Sequence, residues 1–139
     1  MAPEVLGSSV DYSTSCDVYS FAMIMYQVLF EAIPFSIESC NVYTLAVDIL
    51  RGRRPKVPWI IEQQSYDKTG GDLQQQQQQQ DQNVVDEMMS NWCSKRHYPV
   101  DQLEQCIKLM NNCWNENASE RPSFDLIYGE LEQIFNNLE

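Results

Sequence analysis

One segment limits the folds open to this chain more than any other: Asp17-Val18-Tyr19-Ser20-Phe21-Ala22-Met23-Ile24-Met25-Tyr26-Gln27-Val28-Leu29-Phe30-Glu31. Between Val18 and Phe30 only Ser20 and Gln27 are polar. Met23, Ile24 and Met25 are consecutive and apolar, which breaks the alternation of a strand with one wet face. A helix that is apolar all round is buried on all sides. From Val18 to Phe30 such a helix spans about 20 Å, too short for a bilayer and long enough to cross a small domain. The sequence therefore predicts a central core helix. Asp17, just ahead of the apolar run, reads as the group that caps the first turn and favours the positive end of the helix dipole.

The rest of the chain reads outward from that helix. Residues 1–16 form an irregular lead-in, with Pro3 and Gly7 as interruptions and a polar stretch around Asp11, Ser13, Thr14 and Ser15. Pro34 stops the core helix and biases Ile33 toward extended backbone. Val42, Leu45, Ala46, Ile49 and Leu50 fall at i, i+3, i+4, i+7 and i+8, an amphipathic helix with one buried stripe. Asn41 or Ser39 can cap it, Arg51 suits its negative end, and Gly52 can terminate it. Arg51, Arg53, Arg54 and Lys56 hold four of the nine basic residues. They read as a solvated turn rather than a docking patch for an acidic partner.

Composition changes sharply over residues 62–98. Gln74 to Gln80 is an unbroken run of seven glutamines, preceded by Gly70-Gly71. Such a tract cannot bury enough apolar area to offset the entropy of ordering it. The expectation is a disordered, Gln-rich insertion, with Val84 to Trp92 able to form a short docking helix. Periodicity then returns. Leu103, Cys106, Ile107, Met110, Cys113 and Trp114 share a face, and Asp101 with Glu104 has capping-box spacing. After a polar turn over Asn115–Glu120, Ser123 reads as the cap of a last helix. Its inward face is expected to be Phe124, Ile127, Tyr128, Leu131, Ile134 and Phe135. Gly129 inside it costs about 1 kcal/mol against Ala, which suggests close packing there. The periodicities give an all-α domain.

A net charge of −11 argues against nucleic acid as a partner. The five cysteines are an odd number without C-x-x-C spacing, so neither a disulfide framework nor a zinc site is expected. Cys106 and Cys113 read as buried reduced thiols. His97, the single histidine, has no metal or catalytic role on this pattern. Residues 2–10 lack the basic stretch and apolar run of a signal peptide, and there is no run of 18 apolar residues. The expected address is the cytoplasm, with no membrane as a partner. The pattern Asn117-Ala118-Ser119 is then not read as a glycosylation site.

Five short motifs carry a family resemblance. Met1-Ala2-Pro3-Glu4 resembles the A-P-E motif that closes the activation segment of protein kinases. Ser15-Cys16-Asp17-Val18-Tyr19-Ser20-Phe21 looks like the start of the kinase F helix, and Ile33-Pro34-Phe35 like the turn after it. Gly52-Arg53-Arg54-Pro55-Lys56-Val57-Pro58 looks like the G-x-R-P-x-x-P that follows the G helix. Cys113-Trp114, followed by Arg121-Pro122-Ser123-Phe124, matches the block leading into the last helix. The match covers the chain outside roughly residues 60–98, and its wording resembles the tyrosine-kinase-like group of serine/threonine kinases.

The resemblance implies a partial protein kinase domain over residues 1–139: the F, G, H and I helices of the large lobe, with the insertion at 62–98. It implies that Glu4 pairs with Arg121 in a buried ion pair, and that Asp17 matches the F-helix aspartate that bonds the backbone of the catalytic loop. Cys16, Ala22 and Asn117-Ala118 depart from the usual Ser, Gly and Asp-Pro. The Gly-rich loop, the V-A-I-K lysine, the H-R-D aspartate and the D-F-G aspartate have no counterpart here. No catalytic, cofactor-binding or metal residue is therefore expected in this chain. Met1 reads as an internal codon of a longer protein whose upstream part is the first partner. In that complete enzyme the resemblance implies ATP and magnesium as cofactors and a protein as substrate. The alternative is a non-catalytic, kinase-derived helical docking module or a truncated gene product.

Overall fold

The computed structural model describes residues 1–7, 12–35, 41–56 and 86–136. The glutamine run, and the expectation of disorder over most of 62–98, lie outside them. The chain divides into two compact units, Met1–Pro55 with Asp101–Glu139, and Lys56–Val100. The described residues are helical, with no strand among them. No helix among them is long and apolar enough to cross a membrane.

The first unit begins with a short helix, α1 (Pro3–Gly7), where the sequence predicts an irregular lead-in. Pro3 stands at the first helical position, where a missing N–H costs nothing and φ is preset for a helix. The Ala2 carbonyl accepts from the N–H groups of Val5 and Leu6 at 3.1 and 3.3 Å. α2 (Thr14–Phe30) follows. It ends at Glu31, whose left-handed backbone (φ 52°, ψ 32°) lets its N–H return to the Gln27 carbonyl at 2.9 Å. The helix thus stops three residues before Pro34.

α3 (Val42–Leu50) is capped by Asn41, whose side chain accepts from the Tyr43 N–H at 3.1 Å. Gly52 closes it at φ 90°, a conformation that favours glycine. The Gly52 N–H reaches the Ile49 carbonyl and the Arg53 N–H the Asp48 carbonyl, the paired bonds of a Schellman ending. α3 lies against α1, where Leu50 Cδ2 would sit 3.2 Å from a Cβ placed on Gly7. The broad buried stripe predicted for α3 is reduced. Ile49 is buried, Leu45 and Ala46 are half-buried, and Val42 and Leu50 are exposed.

α5 (Val100–Cys113) supplies a large part of the core: Leu103, Cys106, Ile107, Leu109, Met110 and Cys113 are buried, as is Trp114 just beyond. Asp101 lies inside the first turn rather than capping it, because Pro99 already fixes the entry and the helix opens at Val100. α6 (Phe124–Asn136) begins where Ser123 Oγ accepts from the Leu126 N–H at 3.3 Å. The core joins these helices to α2 through Val18, Tyr19, Ala22, Met25, Tyr26 and Phe30. Tyr26 packs edge-on to Phe30 at 4.8 Å and tilted to Trp114 at 6.4 Å. Phe21 meets Phe124 at 5.9 Å. Fully burying a side chain such as Val18, Met25 or Phe30 is worth about 1.5–3 kcal/mol.

α2 is not buried on all sides. Asp17, Ser20, Ile24, Gln27, Val28 and Glu31 are exposed, and at about 100° per residue they fall on one face. Ile24 and Val28 keep 56% and 66% of their surface open.

In the second unit the described helix, α4, covers residues 86–96. Met89 and Cys93 are buried, and Arg96 stacks over the Trp92 ring with 3.4 Å to its centroid. His97, with φ 59°, takes the left-handed position after the helix, and the Tyr98 N–H closes it on the Cys93 carbonyl at 3.1 Å. That is a conformational role for the single histidine.

Candidate functional site

A polar constellation of the first unit is built on Arg121. The stretch before it is a self-bonded polar turn. Asn117 caps the 3-10 turn Ala118–Glu120, its side chain accepting from the Ser119 N–H at 3.1 Å and the Ser119 hydroxyl at 2.8 Å. The side-chain amides of Asn115 and Asn117 both donate to the Glu120 carboxylate at 3.2 Å. An Asn at this position caps as an Asp does, so the departure at Asn117 leaves the turn intact.

This turn delivers the Arg121 guanidinium to the interior. Nη1 donates to Glu4 Oε1 at 2.6 Å and Nη2 to Glu4 Oε2 at 2.9 Å, a bidentate pair. Nη1 also donates to the Ser15 carbonyl and Nε to the Asn115 carbonyl, both at 2.9 Å. The Arg121 side chain is 0% exposed and that of Glu4 21%. A guanidinium has five N–H donors in a rigid fork, and this environment uses four of them. The Cys16 thiol adds a bond to Glu4 Oε1 at 3.2 Å, from the place where the resembled motif has Ser.

Electrostatics follows from these contacts. The hydrogen bonds from Arg121 hold the Glu4 carboxyl far below its ordinary range, at about 2, against the opposing effect of burial. Such a carboxylate is charged and already bonded to its partner at neutral pH. It acts as a tie between α1 and the entry to α6, not as a proton acceptor.

Tyr19 lies beneath this pair. Its ring centroid is 5.1 Å from the Arg121 guanidinium carbon and 5.3 Å from that of Arg54. Burial pushes its phenol upward. Its buried hydroxyl has no hydrogen-bond partner among the described residues. Arg54 donates from Nε to the Trp114 carbonyl at 2.8 Å and from Nη1 to the Arg53 and Ile49 carbonyls at 3.0 and 3.4 Å. It thereby joins the end of α3 to the end of α5. Arg53 pairs with Asp48 at 2.7 Å.

The structure thus brings together Glu4 and Arg121 of the three residues singled out in the sequence and leaves Asp17 apart. Asp17 is the fourth helical residue of α2, exposed, and not its cap. Ser13 is the N-cap residue and makes no side-chain cap bond. The helix starts earlier than the apolar run because Thr14, Ser15 and Cys16 can be helical without being apolar. Arg54 and Tyr19 were not singled out from the sequence as parts of this assembly. The Arg-Pro pairs at 54–55 and 121–122 were the available signal, since each proline fixes the chain just after an inward-turned arginine.

Comparison with known proteins places this arrangement. Residues 1–132 match the model of the protein kinase domain family. A probable serine/threonine-protein kinase of Dictyostelium discoideum is 26% identical over 137 residues, covering 99% of this chain and 6% of that protein. A protein of Acanthamoeba polyphaga mimivirus that bears the name of a serine/threonine-protein kinase/receptor is 40% identical over 129 residues, 92% of this chain and 5% of its own. Receptor-interacting serine/threonine-protein kinase 4 of Mus musculus is 26% identical over 123 residues, 88% of this chain and 11% of its own. The chain therefore spans a small part of the length of the relatives it matches. On the family match, the chain belongs to the protein kinase domain family.

Proposed function

We propose that residues 1–139 form the C-terminal, helical part of the large lobe of a serine/threonine protein kinase of the tyrosine-kinase-like group, acting in the cytoplasm. The complete enzyme would transfer the terminal phosphoryl group of ATP, with magnesium, to a hydroxyl of a protein substrate. The observation that carries this reading is the Glu4–Arg121 pair. It joins the A-P-E-like end of the chain to the R-P-S-F-like block across 117 positions, as the resembled motifs pair in kinases.

The residues present do not fit the cofactors. Among the described residues no three His, Cys, Asp or Glu side chains converge as a metal-holding set. The sequence has no Gly-rich phosphate loop. The chain's part is to hold a frame: α2 presents Asp17, Ser20, Ile24, Gln27 and Val28 along one exposed face. In the resembled family the aspartate at the Asp17 position bonds the backbone of the catalytic loop, so this is the face on which an upstream catalytic loop would seat.

Sequencing the transcript 5′ of the Met1 codon tests the reading. The expected result is an in-frame extension encoding H-R-D and D-F-G, with serine or threonine phosphorylation by the full-length protein and no saturable Mg-ATP binding by the 139 residues alone. An in-frame stop just upstream, with no such extension, would overturn it and leave the non-catalytic docking module.

A further inference from the structure

α6 carries an exposed aromatic face, anchored in its first turn where Phe124 meets Phe21 of α2 and open beyond it. Phe124, Tyr128 and Phe135 stand at i, i+4 and i+11, and at about 100° per residue they fall within about 40° of one another. All three are exposed, Tyr128 at 67% and Phe135 at 51%. The buried residues of the helix, Ile127 and Ile134, lie on a neighbouring side. Asp125 and Glu132 lie together along one edge of the aromatic stripe, and both are exposed. Glu132 accepts from the Tyr128 hydroxyl at 3.4 Å, which holds its carboxylate at the edge of the stripe.

The charge along this helix has one sign. From Leu109 to Glu139 the only basic residue is Arg121, and its guanidinium is buried against Glu4. Nothing cationic on the helix balances Asp125, Glu130 and Glu132. A second copy would bring the same acidic rim against it, and an anionic lipid surface would be repelled. Aromatic faces bordered by carboxylates attract ammonium and guanidinium groups through both cation–π and Coulomb terms. We propose that the Phe124–Tyr128–Phe135 face of α6 is a docking surface for a basic amphipathic helix of a partner protein. The partner's apolar side chains would lie along the aromatic stripe, and its Lys or Arg residues would reach Asp125 and Glu132. This inference goes beyond the kinase reading and does not depend on it.

The test uses the full-length protein containing these residues and a fluorescent 18-residue Leu/Lys peptide with helical spacing as the probe. The wild type should bind it, and more weakly as salt is raised. Tyr128→Ser with Phe135→Ser should weaken binding at least tenfold. So should Asp125→Lys with Glu132→Lys, which alters only exposed charges and keeps the test valid if the aromatic variant does not fold. Tyr43→Ser with Val47→Ser, on the exposed side of α3, should leave binding unchanged. Equal binding by wild type and both α6 variants would overturn the proposal. Equal binding of a Leu/Glu peptide would do the same. So would sedimentation showing a dimer that Tyr128→Ser with Phe135→Ser dissociates, because the occupant would then be a second copy.

Discussion

Protonation of Glu4 removes the charge that Arg121 is folded around. The carboxyl titrates at about 2 in the folded chain against an ordinary 4.5, so its folded value is depressed. A depressed carboxyl contributes stability that is complete above its ordinary pKa and is lost as pH falls through the folded one. The contribution of this pair should therefore hold above pH 4.5 and disappear between there and about 2. Glu4→Gln should be less stable at neutral pH by roughly 3 kcal/mol, since a buried arginine loses its counter-charge. The Ser15 and Asn115 carbonyls, which stay in place, keep the loss from being larger. Denaturant titrations of both proteins from pH 7 to 3 check this. The gap between them should narrow on the acid side, and a constant gap would refute the assignment.

At the scale of the helix, α6 shows how a pattern can point to the wrong face. Phe124, Ile127, Tyr128, Leu131, Ile134 and Phe135 span a wide arc, and all six were expected inward. Ile127 and Ile134 are buried, Leu131 is half-buried, and the aromatic residues lie outside. Periodicity fixes which residues share an arc but not where along it the neighbour sits. The expected close packing at Gly129 is also absent, because a Cβ there would meet nothing within 4 Å. With no compensating contact, the glycine only loosens the helix. Gly129→Ala should raise stability by about 0.5–1 kcal/mol, seen as a higher Tm in calorimetry. The same logic accounts for α2, where the run from Val18 to Phe30 is apolar all round yet packed on one side.

For the molecule as a whole, exposed apolar surface is the feature with the clearest consequence. Ile24 and Val28 stand open on α2 beside Asp17 and Ser20, and large uncovered apolar patches promote association. Ile24→Lys with Val28→Glu should make the isolated 139-residue chain less prone to aggregate, with its helix content unchanged. Light scattering and circular dichroism measure the two. The same pair placed in the full-length protein should abolish the proposed phosphoryl transfer, because the proposed seat of the catalytic loop is lost. Unchanged activity in the full-length protein would show that the face is not a seat.

The amino-acid sequence alone determined the helical class, most helix positions, the cap at Ser123, the ending at Gly52, and the α5 face from Leu103 to Trp114, and it offered Asn41 as one of two caps for α3. These are local choices, set by spacing, side-chain hydrogen bonding and backbone freedom within a few residues. The motif order also pointed to the Glu4–Arg121 contact, because only a family pattern can link positions 117 apart. Tertiary structure alone decided which side of each helix is covered. It left Asp17 in solvent four residues into α2 and set Tyr19 against both Arg54 and Arg121. It also turned Arg54 from a member of a basic run into a bridge between α3 and α5. Burial depends on what lies opposite a side chain, and that is settled by residues far away in sequence.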